Sequence, residues 1–390
     1  MHSDLVDLGN DHSDLRDAIA RICADFDGSY WRRLDEERAY PREFVDRLTQ
    51  SGYLGCLIPT EYGGSGLPLR AASVILETIH RSGCNAGACH AQMYTMGTVL
   101  RHGSAGQKAH YLRKIASGGL RLQSLGGPEP TTGSDTTQLR TWARRDGDDY
   151  VINGQKVWTS RALHSDLMLL LARTTPVEQV KRRSDGLSVF LIDLNRARGQ
   201  GLEIRPLKAM INHHATEVFF EDLRVPADTL VGREGEGFRY ILDGMNAERI
   251  LVASEALGDA RWFIEKARRY ASDRVVFGRP IGQNQAVQFP IVQSYVAVEA
   301  AELMVRKAAA RFDAGAPCGA EANMAKLLAA DASWSAAEAC LQTYGGFGFA
   351  SEYDIERKWR ETRLLRTAPV STNMVLAFLG QNVLDMPRSY

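Results

Sequence analysis

The sequence predicts an α+β chain of several domains: helices first, a block of short strands in the middle, and a bundle of long helices at the end. Three observations predict it. Apolar residues recur at helical spacing over 1–120, the period becomes that of strands over 121–231, and long Ala-rich helical stretches fill 232–390. A length of 390 residues suits two or three domains, or one large one.

In the first block, Leu15, Ile19 and Ile22 form one helical face, and Val45, Leu48 and Leu54 lie around a Gly-marked break. IPTEYGGSGLPL, with paired glycines and two prolines, is a loop between helices. A second helical stretch spans 68–102 and closes at His102-Gly103, and a further helix follows over about 105–116. In the middle block, GDDYVINGQKVW carries apolar segments on either side of Asn153-Gly154, which predicts a hairpin turn there. LMLLLAR (167–173), LSVFLIDL (187–194), LEIRPL and TEVFFEDLRVP complete at least five or six strands, enough for a small barrel or sandwich. In the last block, Ile291, Tyr295, Val298, Ala301, Val305, Ala308 and Phe312 predict one continuous buried stripe on a long helix. The 245–272 and 319–341 segments are helical, and Gly345, Gly346 and Gly348 mark a tight loop after them.

Composition narrows the function. Lys plus Arg and Asp plus Glu are each 47, so no basic excess points to nucleic acid or an anionic membrane. No apolar run is long enough to span a bilayer. The acidic, amphipathic start MHSDLVDLGNDHSDLRDAIARICADFD lacks the marks of a secretory or transit segment, so a cytoplasmic location is expected. Cys23, Cys56, Cys84, Cys89, Cys318 and Cys340 are scattered, which argues against a metal site or a disulfide scaffold and fits buried thiols.

Four motifs carry the chemistry: LGGPEPTTGSD (125–135), NGQKVWTS (153–160), RVVFGRPIGQNQ (274–285) and QTYGGFGF (342–349). A Gly-Ser-Asp turn can present amides and a hydroxyl to an anion or a heterocycle edge. Taken singly, each is an ordinary turn or a buried Trp. Taken together, in this order and at these separations, they resemble the acyl-CoA dehydrogenase family of flavoenzymes from end to end. YPREFVDRLTQSGYLGCLIPTEYGG (40–64), FEDLRVPADTLVG (220–232) and NMAKLLA (323–329) add to the match.

The resemblance implies an N-terminal helical domain, a middle β-barrel or sandwich domain and a C-terminal four-helix bundle, with FAD as cofactor. Leu125, Gly127, Pro128, Gly133 and Ser134 match the first flavin loop. Trp158, Thr159 and Ser160 match the second, with Ser160 at the position that meets flavin N5. Arg274, Phe277 and Gln285, with Gln342, Thr343, Tyr344, Gly345 and Gly346, match residues that reach the FAD of a neighbouring subunit. A guanidinium fork suits phosphate there, and paired glycines allow close backbone approach. Ser371 and Asn373 match the last FAD contacts. A site completed in trans implies a homo-oligomer, tetramer or dimer. Ser134, Asn246 and Arg249 match CoA contacts, and Gln92 to Met96, including Tyr94 and Thr95, line the acyl cavity with Leu125 by family register.

The implied reaction removes a proton from Cα and a hydride from Cβ of an acyl-CoA, giving the 2,3-enoyl-CoA, with electrons passed to an electron-transfer flavoprotein. In most relatives the base is a Glu in a Tyr-Glu-Gly-Thr turn near the C-terminus. The matching run here is TAPVST (367–372), with Pro369 at the Glu position. Isovaleryl and long-chain relatives instead place the Glu on a helix, and NAERILVA (246–253) puts Glu248 there. Two departures stand out. Pro128 replaces a flavin-binding Thr, so the neighbouring backbone of Gly126 or Gly127 is left to hold the ring. Pro369 has no N–H, whereas the family uses that amide on the thioester carbonyl. Either another amide donates, or the carbonyl is polarised less; one such donor contributes ~3 kcal/mol of barrier lowering. Other outcomes are a relative doing elimination or oxygen-dependent oxidation, or a non-catalytic partner subunit.

Overall fold

The computed structural model describes residues 12–388. The first eleven residues of the acidic N-terminal stretch lie outside it. The described residues divide into two compact units: one comprises 12–39, Pro68–Ala86 and 246–388, the other Tyr40–Leu67 and Gly87–Met245.

The first unit is helical. It contains α1 (Ser13–Ala24), α2 (Gly28–Glu37) and, after the excursion into the other unit, α4 (Leu69–Arg81). Most of α6 (Gly237–Asp273), with α7 (Gln285–Asp313), α8 (Gly319–Tyr344), α9 (Ile355–Leu365) and α10 (Thr372–Asn382), completes it. Ile19 and Ile22 of α1 are buried, as their spacing predicts. Asp27 caps α2, accepting from the Ser29 and Tyr30 amides. The helices are tied by buried ions. The His80 ring and the Lys358 ammonium both meet the Asp259 carboxylate, and Lys358 also donates to the Cys84 carbonyl at 3.2 Å.

The stripe predicted on α7 holds only in its second half. Val298, Ala301, Val305 and Ala308 are buried, but Tyr295 is 50% exposed, beside exposed Phe289, Val292 and Val296. The helical period was right, but over 285–296 only Ser294 is buried. The single helix expected over 68–102 is two, α4 and α5 (Gly87–His102), broken at Gly83 with φ 84°. An added Cβ at Gly83 would sit 2.8 Å from the Trp262 indole nitrogen, so the chain turns where only glycine fits.

The second unit is built on an eight-stranded sheet ordered β6-β7-β3-β2-β4-β5-β8, with β1 beside β4. The strands are β1 (Leu122–Gly126), β2 (Trp142–Asp146), β3 (Asp149–Ser160), β4 (Leu167–Arg173), β5 (Leu187–Asp193), β6 (Leu202–Pro206), β7 (Ala215–Pro226) and β8 (Leu230–Val231). LMLLLA, up to Arg173, is apolar because both faces of the strand are buried. Met168, Leu170 and Ala172 join one core with Tyr150, Phe190 and Val218. Leu167, Leu169 and Leu171 join another with Met96, Val99, Leu112 and Ile115. The helical face of α3 (Arg42–Gln50) buries Val45 and Leu48.

The hairpin expected at Asn153-Gly154 is not there. The turn is Gly147-Asp148, between β2 and β3, and Asn153-Gly154 lies inside a twelve-residue strand. The pairing of β3 with β7 slips between Ile152 and Gly154, and Gly154 has φ 143°. A Cβ there would meet the Thr141 side chain at 2.5 Å. The glycine therefore makes a bulge under a crossing backbone, a second reason for glycine in a strand.

Candidate active site

The sheet unit carries the first two motifs. β1 leads into the 125–135 turn, and that turn is pinned to β3 from beneath. The ammonium of Lys156, wholly buried, donates to the Gly127 carbonyl at 3.0 Å and to Glu129 Oε1 at 2.9 Å. Glu129 in turn accepts from the Arg140 amide at 2.6 Å and the Thr141 amide at 2.8 Å. The Val157 amide donates to the Pro128 carbonyl at 3.0 Å, so Pro128 keeps the turn docked through its acceptor. Burial lowers the Lys156 pKa to about 8 against the pull of Glu129. Burial works to raise the Glu129 carboxyl, but Lys156 and the amide donors outweigh it and leave it below its usual range. Neither residue appears among the motif contacts read from sequence. The Lys of KVWTS and the Glu of PEP were the available signal.

At the end of β3 the pairing with β7 slips again, between Lys156 and Thr159, and Trp158 takes φ 59°. Arg161 (φ 59°) and His214 (φ 52°) adjoin it, the Arg161 amide donating to the His214 carbonyl at 2.8 Å. Non-glycine residues in this region each cost on the order of 1 kcal/mol, and they gather at functional sites. The bulge turns the Trp158 indole outward, 57% exposed, and Thr159 inward. The Thr159 hydroxyl oxygen is buried without a hydrogen-bond partner, as is that of Thr132. A Cβ added at Gly127 or Gly133 meets nothing within 4 Å. An exposed indole, orphaned hydroxyls and open glycine backbone fit a flat, hydrogen-bonding cofactor. Leu125 and Ser160 are half-buried beside them and Ser134 is exposed. On α5, Tyr94 is half-buried. Thr95 is buried and commits its hydroxyl to the Leu122 carbonyl at 2.6 Å, bracing α5 on β1.

The helical unit carries the other two motifs. RVVFGRP folds as a tight hairpin, Val275–Val276 against Arg279–Pro280, with Phe277 and Gly278 both at positive φ. The turn projects Phe277 fully into solvent, and Arg274 lies 5.9 Å over the Phe347 ring. Gln285 begins α7, and Gln342 and Thr343 end α8. A Cβ at Gly345 or Gly346 meets nothing within 4 Å. The Tyr344 side chain is committed elsewhere, stacked on Tyr270 at 4.1 Å. Ser371 caps α10 and Asn373 lies exposed on its first turn.

On α6, Glu248 is 8% exposed and precedes Arg249. Burial lowers the Arg249 pKa, and the charge of Glu248 opposes that shift. Asn246 Oδ1 accepts from Arg249 at 3.0 Å, which orients the guanidinium, while its Nε is buried without a partner. Below the 366–370 turn, the Lys326 ammonium of NMAKLLA donates to the Val370 carbonyl at 2.8 Å and the Arg366 carbonyl at 3.3 Å. That lysine fixes the turn that carries Pro369. The motif NMAKLLA was quoted from sequence, but its lysine's role was not readable there.

The family models of the acyl-CoA dehydrogenase N-terminal, middle and C-terminal domains match residues 9–119, 124–223 and 235–384. The acyl-CoA dehydrogenase FadE12 of Mycobacterium tuberculosis is 33% identical over 381 residues, 96% of each chain. Among solved structures, a glutaryl-coenzyme A dehydrogenase in complex with glutaryl-CoA superposes with TM-score 0.89 at 28% identity, covering 100% of this chain and 98% of that one. One described as the electron transferring flavoprotein of Acidaminococcus fermentans gives TM-score 0.90 at 28% identity, covering 98% and 100%.

Proposed function

The chain belongs to the acyl-CoA dehydrogenase family, and we propose that Glu248 is the base with which it removes the α-proton of an acyl-CoA thioester. It is an FAD-dependent oxidoreductase acting on a CH–CH bond. FAD, when bound, supplies the acceptor for the hydride from Cβ.

One observation carries the assignment of the base: the tail position that holds a glutamate in most relatives is Pro369, and the helix offers a buried carboxylate instead. A carboxylate removed from water is a stronger base than a solvated one. Arg249, oriented by Asn246, is suited to an anionic group of CoA, and its free Nε is the donor for it. The Thr159 hydroxyl with the Gly127–Ser134 backbone would hold the cofactor's ring and Trp158 would cover it, while the open backbone of Gly345 and Gly346 would serve the FAD of a neighbouring subunit. Anaerobic mixing of FAD-loaded Glu248→Gln with an acyl-CoA that reduces the wild type tests the base. The variant should keep its flavin and show no bleaching; undiminished bleaching sinks the assignment.

We further infer a homo-oligomer, because Phe277 and the apolar first half of α7 are exposed in one chain. Electrons would leave to an electron-transfer flavoprotein. Among the described residues no helix is long and apolar enough to cross a membrane. A cytoplasmic location is part of this reading, supported by six buried cysteines scattered along the chain.

A further inference from the structure

The sheet unit holds a run of cations against the turn that carries Ser134. Between β4 and β5 the chain makes an excursion over 174–186, and its Lys181, Arg182 and Arg183 are all exposed. Among the described residues none of the three side chains forms an ion pair, with the excursion's own Glu178 and Asp185 or with any other acid. In a chain whose charges balance at 47 of each sign, that is a local excess.

The excursion is fastened. The Thr174 amide donates to the Gly186 carbonyl at 2.8 Å, and the Asp185 amide to the Arg182 carbonyl at 2.9 Å. At its foot the half-buried Arg173, last residue of β4, joins it to the turn after Ser134. Arg173 Nη2 donates to the Thr137 carbonyl at 2.8 Å and to the Arg183 carbonyl at 3.0 Å, and Nη1 donates to the Thr175 carbonyl at 3.3 Å. Two carbonyls on one nitrogen are neighbours, so the backbone of Arg183 lies beside that of Thr137. The Thr137 hydroxyl donates in turn to Asp135 Oδ1 at 2.6 Å. That hydroxyl, with the Arg183 charge further off, holds the Asp135 carboxyl below its usual range.

A basic run that serves solubility alone can stand anywhere on a surface. This one is stapled by a guanidinium to the turn whose exposed Ser134 matches a CoA contact. We propose that Lys181, Arg182 and Arg183 seat the nucleotide end of the substrate, taking the 3′-phosphate and diphosphate oxygens of CoA. The inference rests on the reading of Ser134 as a CoA contact and deepens it by naming the part of the substrate the excursion takes. Phosphate oxygens are acceptors only; the forks of Arg182 and Arg183 match them in pairs, and Lys181 adds a point charge. The seat acts on affinity and leaves the choice of base untouched.

Calorimetric titration of the FAD-loaded full chain with one acyl group on CoA, on 3′-dephospho-CoA and on 4′-phosphopantetheine tests the seat. The wild type should bind the acyl-CoA about 5–20-fold tighter than the 3′-dephospho thioester, as a charge-assisted contact discounted for solvent screening gives. The phosphopantetheine thioester should bind more weakly still. Raising the salt from about 0.1 to about 1 M shortens the Debye length from about 10 to about 3 Å and should shrink the ratio. The triple variant Lys181→Ser, Arg182→Ser, Arg183→Ser keeps the Arg183 carbonyl for Arg173 and should bring the ratio to within about 2-fold of unity. A wild-type ratio near one overturns the proposal, as does a ratio that salt does not change or that the triple variant keeps in full. Tighter wild-type binding of the same acyl group on an acyl carrier protein, lost in the triple variant, also overturns it, because the run would then face a protein. The wild-type ratio is decisive by itself, so a poorly folding variant does not rescue the idea. Equal binding sinks this proposal alone, whereas no binding of any thioester sinks the reading of Ser134 with it. A wrong assignment of Glu248 would show in flavin bleaching and leave the ratio unchanged.

Discussion

Replacing Lys156 by Met isolates the brace that holds the 125–135 turn. Methionine fills much the same volume, so the change removes an ammonium without opening a large cavity. It leaves the Gly127 carbonyl unpaired and the Glu129 carboxylate buried without its counter-charge. Breaking a buried pair in this way costs about 3–5 kcal/mol. The two amides that still donate to Glu129, from Arg140 and Thr141, place the expected loss near the lower end, about 3 kcal/mol. The double variant Lys156→Met, Glu129→Gln removes the orphan charge while keeping an oxygen for those amides. It should recover on the order of 2 kcal/mol. Urea unfolding followed by tryptophan fluorescence reads the stability, and equilibrium dialysis reads FAD affinity, which should fall in the single variant because the turn is no longer docked. The pH dependence has a definite sign. With a folded pKa of about 8 against an ordinary 10.5, Lys156 gives up its proton earlier in the folded state. The unfolded chain then binds more protons between pH 8 and 10.5, so this site's contribution to stability rises with pH across that window. Lys156→Met should flatten that rise. A single variant within about 1 kcal/mol of wild type, or a double variant weaker than the sum of both singles, would refute the reasoning.

Thr159→Val tests the cofactor fit: the apo protein should keep or slightly gain stability, because a buried unpartnered hydroxyl disappears, while FAD binding weakens by roughly 2–10-fold. An unchanged FAD dissociation constant would remove Thr159 from the site. Asp259→Asn tests the buried cluster with His80 and Lys358. Burial raises the Asp259 carboxyl but Lys358 and His80 outweigh it, so its folded pKa is about 2 against 3.8. Its stabilisation, on the order of 2 kcal/mol, is present above pH 4 and is lost as the pH falls through about 2. The wild type should therefore lose stability between pH 4 and 2 more steeply than Asp259→Asn in acid titrations of the unfolding midpoint, and parallel curves would exclude this role.

Most secondary structure was legible because period is a local property. The two-faced apolar run of β4, the alternation of β7 and the long helices α6 and α8 could be read from spacing alone. What misled was local too. Asn153-Gly154 has hairpin chemistry, yet its glycine answers a demand from Thr141, which crosses the strand. The α7 stripe has helical period over its whole length, yet spacing cannot say whether a partner covers the first half. The motif residues that touch solvent or present bare backbone, such as Trp158, Phe277, Gly345 and Gly346, stand out by their pattern. Those that brace from below, Lys156, Glu129 and Lys326, were embedded in the same motifs without a sign of what they hold.

By itself the sequence determined the helix–sheet–helix order, the family and the absence of a glutamate in the C-terminal turn, because each depends only on which residues stand where along the chain. Tertiary structure decided which polar groups lose water together. Glu248 is buried next to Arg249, Lys156 on β3 meets Glu129 of the turn after β1, and Arg161 meets His213 where β3 leaves its pairing with β7. Charge and hydrogen bonding act across space with a strength set by the surrounding dielectric, and a linear order of residues carries neither distance nor dielectric.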